Sequence, residues 1–347
     1  MTTGRMTTGR TTTGAGRPRP GVSIVLGLFL NRPPLETLDS AIAADRLGFP
    51  ELWVGEMATF DAFSLASTIC ERTSQITLTI GPLAVGVRDP VTIAMGVGSV
   101  AALHQRRVNV AIGSSSDVVV TDWHGRPRVR TARHLAETAQ VLRPLLDGDK
   151  VDFDGEVVSV RGFRLRVPTP QSTISVAAFG PRAVEAAAAH ADRMVVNLVT
   201  PQSAGRLREA LTKAAADAGR PAPRLVAWLP AALDPTQEAW IQMRRAKVPY
   251  LAAPGYSEMF AEAGFGDLVA YARTRPHPRD LLARIPRELV QAIGPVGDES
   301  TFAATIEDYI AAGVDELAFV PSSDGDPGGV RTMTALRELL PGAGEGR

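Results

Sequence analysis

The residues able to do chemistry in this 347-residue chain are mostly hydroxyls, glycines and prolines, with few acids and bases among them. Seven short segments stand where apolar runs end. They are Gly55-Glu56-Met57, Gly81-Pro82-Leu83-Ala84, Gly113-Ser114-Ser115-Ser116-Asp117, Ala178-Phe179-Gly180-Pro181-Arg182, Asn197-Leu198-Val199-Thr200-Pro201, Pro230-Ala231 and Pro321-Ser322-Ser323. Small residues let backbone amides approach a large flat ligand closely. A site rich in backbone and poor in acid–base groups suits a cofactor that brings its own reactivity. Ala178–Arg182 is the most informative segment. There an apolar run ends, Gly180 supplies a tight turn, and Pro181 opens a helix at the position where its missing N–H costs nothing. Free amides at that helix start, with Arg182 beside them, suit a phosphate, and equally an ordinary strand–helix turn. Glu56 is the one evident rim carboxylate, with Asp61, Asp117 and His124 on nearby loops, and each fits a surface or capping role as well as a catalytic one.

Other chemistries find little support. The five histidines (104, 124, 134, 190 and 277) are scattered and none pairs at metal-ligand spacing, so no metal site is expected. There is no Gly-x-Ser-x-Gly elbow and no phosphate-binding Walker loop. Lys150, Lys213 and Lys247 are placed off the rim, which argues against a lysine-based aldolase. Cys70 is the single cysteine; it excludes an internal disulfide and reads as a core thiol within Ser64–Cys70.

The elements that must position these segments alternate along the chain. Strands are expected at Val22–Phe29, Leu52–Val54, Ile76–Ile80, Val108–Ile112, Ile174–Ala178, Val195–Asn197, Leu225–Leu229 and Glu316–Pro321. Helical patterns fall at 35–47, 62–71, 91–103, 131–146, 182–191, 202–218, 302–312 and 331–340. The strands lack period-2 alternation, as parallel strands covered on both faces do. Eight such units favour an α/β fold, a (β/α)8 TIM barrel with insertions, over a doubly wound sheet. The segment 150–166 reads as a hairpin excursion with Gly155-Glu156 at its turn, and 236–292 as a helical insertion. Aromatic residues of that insertion (Trp240, Tyr250, Tyr256, Phe260, Phe265) suit a substrate pocket and packing against the barrel equally. Residues 1–20, a Thr/Gly/Arg repeat, are expected to be a disordered tail before a single domain at 21–341.

Lys+Arg and Asp+Glu both total 37, so no basic excess points to nucleic acid or to a polybasic membrane anchor. No segment approaches the ~20 apolar residues of a membrane helix, and the expectation is a cytoplasmic enzyme of a small-molecule substrate.

From Val22 to Leu340 the sequence resembles the luciferase-like monooxygenase superfamily, and within it the branch that uses the deazaflavin coenzyme F420. Four stretches carry the resemblance: Glu51–Glu56, Leu78 through Arg88-Asp89-Pro90, Asp154-Gly155-Glu156 with Gly162-Phe163, and Ser175–Arg182 followed by Ala191–Asn197. The resemblance implies a bacterial-luciferase-like TIM barrel and a flavin-type ring held against the third and fourth strands. It also implies a bulge or cis peptide behind that ring, here at Gly81-Pro82, where proline lowers the cost of cis. By the same token Gly81, Pro82, Leu83, Ser114, Ser115 and Ser116 would line the ring. Ala178, Phe179, Gly180, Pro181 and Arg182 would take the cofactor's phosphate. A homodimer is implied as well.

The sequence departs from the sugar-phosphate dehydrogenases of that branch. Met57 stands where they carry a histidine base, and Ser116 falls near their fourth-strand acid. The leading expectation is an oxidoreductase moving a hydride between F420 and a C=C, C=N or C=O/alcohol group, with Glu56 handling the proton. The alternatives are an FMN-dependent luciferase-like monooxygenase and a cofactor-binding protein without catalysis.

Overall fold

The computed structural model describes residues 19–340. The expectation of a disordered tail therefore lies, up to residue 18, outside the described residues, while Pro20 is already buried against the barrel. Eight parallel strands close on themselves: β1 (Gly21–Val25), β2 (Glu51–Val54), β3 (Thr77–Ala84), β4 (Val108–Gly113), then β7 (Ile174–Ala177), β8 (Arg193–Asn197), β9 (Arg224–Leu233) and β11 (Glu316–Pro321). Each pairs in parallel with the next, and β11 returns to β1 through Gly21↔Glu316 to Ile24↔Phe319. Outside run α1 (Glu36–Arg46), α2 (Ala62–Arg72), α3 (Pro90–His104), α4 (Thr131–Asp147), α5 (Pro181–His190), α6 (Pro201–Asp217), α12 (Glu299–Ala311) and α13 (Val330–Leu339). The chain is a (β/α)8 TIM barrel.

Several helices start where side-chain chemistry dictates. Asp61, Asp89, Thr200 and Asp298 each cap their helix by accepting from the amide three residues on. The first strand is shorter than the apolar run suggests, because Gly27 to Leu30 form a turn closed by the Leu30 amide on the Gly27 carbonyl, and Leu30 is buried there off the ladder. The antiparallel pair β5 (Lys150–Asp154) and β6 (Ser159–Arg164) leaves the barrel between α4 and β7. Its turn is tied down by Glu137 of α4, whose carboxylate accepts from the amides of Glu156, Val157 and Val158 at 2.9 Å. Burial opposes the Glu137 charge, yet those three bonds hold its carboxyl below the usual range.

The lower barrel is plugged by a polar cluster instead of an apolar layer. Arg193, at the start of β8, binds both carboxylate oxygens of Glu51 at 2.8 Å and lies 3.3 Å from Glu316. Ser23, Thr79, Asn109 and Ser175 satisfy the remaining polar atoms, and all seven residues are buried. Above this plug, Val25, Trp53, Ala111, Val195, Val226 and Ala318 pack the interior, with Trp53 edge-on to Trp228 at 5.5 Å.

After β9 the chain forms the insertion: α7 (Gln237–Arg245), α8 (Tyr256–Phe260), α9 (Gly266–Arg273), α10 (Pro278–Arg284) and α11 (Arg287–Gln291). It has its own core of Leu251, Phe260, Leu281, Ile285 and Leu289 and returns through the short strand β10 (Val296–Gly297), which extends β9.

Candidate cofactor and substrate site at the barrel mouth

The ends of β3, β4 and β7 lie side by side and build one half of the mouth. The Gly81–Pro82 bond is cis, and the β3–β4 register shifts between Ile80 and Leu83, so the third strand carries both features the sequence resemblance implied. Glycine is required at residue 81. Its φ is +124°, and a Cβ there would sit 2.1 Å from the carbonyl oxygen of Ala111. Pro82 is partly exposed, Leu83 is buried, and a Cβ on Gly113 would meet Ala177 at 3.2 Å and Pro82 at 3.4 Å. The two glycines thus let these strand ends pack closely, with Pro82 partly exposed between them.

Beside it Ser114 is half-buried and Ser115 and Ser116 are exposed. Ser115 adopts a positive φ of 55°, with its carbonyl held by the guanidinium of Arg128 at 2.8 and 3.1 Å. Ser116 accepts from the amide of Val119, so part of its bonding capacity goes to its own loop.

At the end of β7, Ala178 is buried and Phe179 turns into the insertion, 4.7 Å from Tyr256. Gly180 caps α5, but its φ is −80° and nothing lies within 4 Å of its Cβ position. The expected tight glycine turn is therefore an extended cap open to any residue, and glycine's contribution is to leave the helix amides uncovered. Pro181 is the first helical residue, and Arg182 is exposed, with no ionic partner among the described residues. An open helix N-terminus with the exposed Arg182 beside strand ends built of glycine, proline and alanine fits a planar ring carrying a phosphate tail.

Glu56 follows β2. Arg88, which follows β3, grips it with Nε–Oε2 at 2.9 Å and a second bond from Nη2, which also meets Asp61. The hydrogen bond that Arg88 donates to Glu56, then opposing burial, then the bond to Asp61 leave the Arg88 pKa raised. Glu56 also accepts from the amide of Ala62 at 3.3 Å. Met57 is exposed. Among the described residues no group of three His, Cys, Asp or Glu side chains could hold a metal ion, and no helix is long and apolar enough to cross a membrane. Cys70 is buried, and burial pushes its thiol up.

The opposite half of the mouth corrects the sequence reading. Lys247, placed off the rim by sequence, is 2% exposed and lines a small pocket with Phe29, Asn197, Pro230, Met243 and Ser322. The signal was present: Trp240, Met243 and Lys247 follow helical spacing, so the lysine continues the buried face of α7.

A closed parallel barrel with a bulged third strand and an insertion over its far rim defines a luciferase-like enzyme scaffold. The family of luciferase-like monooxygenases matches residues 6–316, and the chain belongs to it. Over 164 residues it is 31% identical to an F420-dependent glucose-6-phosphate dehydrogenase of Mycobacterium avium, covering 43% of this chain and 48% of that one. It is 24% identical over 183 residues to a 5,10-methylenetetrahydromethanopterin reductase of Archaeoglobus fulgidus, covering 51% of this chain and 53% of the relative. The chain thus spans about half the length of the curated relatives it matches. Among solved structures, an F420-dependent secondary alcohol dehydrogenase bound to an F420–acetone adduct superposes with TM-score 0.76 at 17% identity, covering 94% of this chain and 99% of that one. The FMN-bound oxygenating constituent of 3,6-diketocamphane monooxygenase from Pseudomonas putida superposes at 0.70 and 15% identity, covering 92% and 97%.

Proposed function

We propose that this protein is an F420-dependent oxidoreductase that transfers a hydride between the deazaflavin and a small organic C=C, C=N or C=O/alcohol group. The observation that carries the reading is the joint geometry of β3, β4 and β7: close-packed strand ends built of Gly81, Pro82 and Gly113, leading to a helix start with the exposed Arg182. The names of an F420-dependent dehydrogenase relative and of an F420-dependent structural neighbour support the same cofactor. When bound, the deazaflavin supplies hydride chemistry at its C5 carbon.

The chain's own residues do the rest. Gly81, Pro82 and Leu83 with Ser114 to Ser116 would seat the ring, and Ala178 to Arg182 the phosphate. Glu56, oriented by Arg88, is the proton-handling carboxylate on this half of the rim. The insertion closes the far side and excludes water. The FMN-dependent monooxygenase reading is kept in view by the FMN-bound structural neighbour. Fluorescence titration of the purified protein with F420 and FMN side by side tests the choice. Micromolar binding of F420 alone is expected, whereas preference for FMN would move the protein to the monooxygenases, and binding of neither would remove the cofactor assignment.

A further inference from the structure

The barrel mouth has a second half, built by the ends of β1, β8, β9 and β11 and roofed by α7. Lys247 lies there, 2% exposed, and among the described residues none gives its amine a hydrogen bond or ion pair. Its pocket is lined by Phe29, Leu30, Leu198, Pro230, Met243 and Val320, and its polar members are Asn197 and Ser322. Neither offers the ammonium a charge. Ser322 donates to Gln242 at 2.7 Å, and Gln242 donates to the Leu30 carbonyl at 3.4 Å, so these groups are engaged with one another. The lining holds no other titratable group; Tyr250 and Tyr256 stand nearby in the insertion, both pushed up by burial. The adjacent Trp228, which pairs with Asn197 in the β8–β9 ladder, has a buried indole N–H with no acceptor. Lys247 is therefore the one cation of this pocket, and a second unsatisfied donor lies on the strand beside it.

The geometry points to a subsite for the acceptor molecule at Lys247 that takes a carboxylate on a short apolar body. A buried ammonium without a counter-charge is costly, and an incoming carboxylate supplies the missing partner. A phosphate dianion is disfavoured, because the lining has one cation and no arginine, too few donors for three charged oxygens. This assignment rests on reading the mouth as the acceptor site, but its test does not need turnover.

Burial pushes the Lys247 ammonium down to about 7. A carboxylate bound beside it restores the charge, so binding above pH 7 takes up a proton. Affinity is then highest below about pH 7 and falls up to tenfold per pH unit above it. The chain has three lysines, which makes the site observable: Lys150 and Lys213 are exposed, and Lys213 pairs with Asp217 on α6.

The experiment is calorimetric titration of butanoate and of inorganic phosphate into the full chain at pH 8, in two buffers of different ionisation enthalpy. Lysine-selective NMR of the same samples runs alongside. Expected are butanoate binding with net proton uptake, a shift confined to the Lys247 resonance, and at least tenfold weaker binding in Lys247→Met but not in Lys213→Met. Equal butanoate affinity in Lys247→Met, or a Lys247 resonance that butanoate leaves unmoved, would overturn the subsite; tighter phosphate than butanoate would overturn its ligand class. F420 affinity of Lys247→Met is read in parallel and should change less than twofold. Loss of butanoate with F420 retained supports the subsite, and a wild type that binds butanoate but no F420 leaves the subsite standing while the proposed cofactor falls. Melting curves for each variant separate misfolding from loss of the site.

Discussion

The guanidinium of Arg88 holds Glu56 at both carboxylate oxygens, and the same Nη2 reaches Asp61, the N-cap of α2. One arginine thereby links the ends of β2 and β3 and fixes the rim carboxylate nearest the bulged strand. Arg88→Met removes that link and leaves Glu56 and Asp61 facing each other uncompensated. Both are partly exposed, so the expected loss is modest, about 1 kcal/mol. Urea unfolding measures it, and no change would mean the pair is idle. Glu56→Gln, in contrast, should lower kcat on an F420-dependent acceptor by 10² or more with the cofactor Kd unchanged, if the carboxylate handles the proton.

At the other end of the bulge, Gly81→Ala places a Cβ against the Ala111 carbonyl at a φ of +124°. Local rearrangement of β3 follows, with a stability loss of about 3 kcal/mol or more and cofactor binding abolished. A soluble variant binding F420 normally would show that this strand end does not seat the ring.

Arg182 offers the opposite profile. Exposed and without an ionic partner among the described residues, it contributes nothing visible to folding. Arg182→Ala should leave the melting temperature within a degree while weakening F420 about tenfold, and the salt dependence of binding should flatten. An unchanged Kd at low salt would move the phosphate elsewhere on the rim.

The barrel plug is a structural charge cluster. Burial opposes the charge of Arg193, but Glu51 and Glu316 outweigh it and raise its pKa. Removing the cation in Arg193→Met strands two carboxylates in the interior, at a cost of about 3–5 kcal/mol. The variant should show a lower urea midpoint and, where folded, an unaltered F420 Kd, because the plug lies at the strands' N-terminal ends.

Lys247 makes stability depend on pH in a way the plug does not. Its amine is lowered to about 7 in the folded chain, while in the unfolded chain it titrates near 10.5. Between those values the unfolded state binds more protons, so stability rises with pH across that window. Lys247→Met lacks this dependence. It should therefore be more stable than wild type by at most about 5 kcal/mol at pH 7 and below, with the difference closing towards pH 10.5. Parallel unfolding curves at pH 7 and 9.5 decide it, and a variant no more stable at either pH would show that the amine finds a charge partner in solution.

The legible parts of this molecule are those where local chemistry and tertiary structure agree. Glu316–Pro321 is a strand within its expected bounds because parallel strands buried on both faces read as continuous apolar runs. The strand expected over Val22–Phe29 ends at Val25, because an apolar run does not distinguish ladder from turn: Leu30 is buried within the turn that follows. Gly180 was taken for a turn glycine, yet its backbone is extended. The cis bond at Gly81–Pro82 followed from the family resemblance, since an isolated Gly-Pro pair favours trans.

By itself the sequence determined the repeating strand–helix order, the closed barrel that eight such units form, and a rim of small residues at the strand ends, because periodicity and glycine placement are local properties. Tertiary structure alone decided which rim residues meet. Arg88 reaches Glu56 across two strands, Arg193 finds Glu51 and Glu316 inside the barrel, and Lys247, in an insertion whose helical face is only locally amphipathic, is carried into the mouth. Such pairings depend on barrel closure and on the docking of the insertion, which bring together residues far apart along the chain.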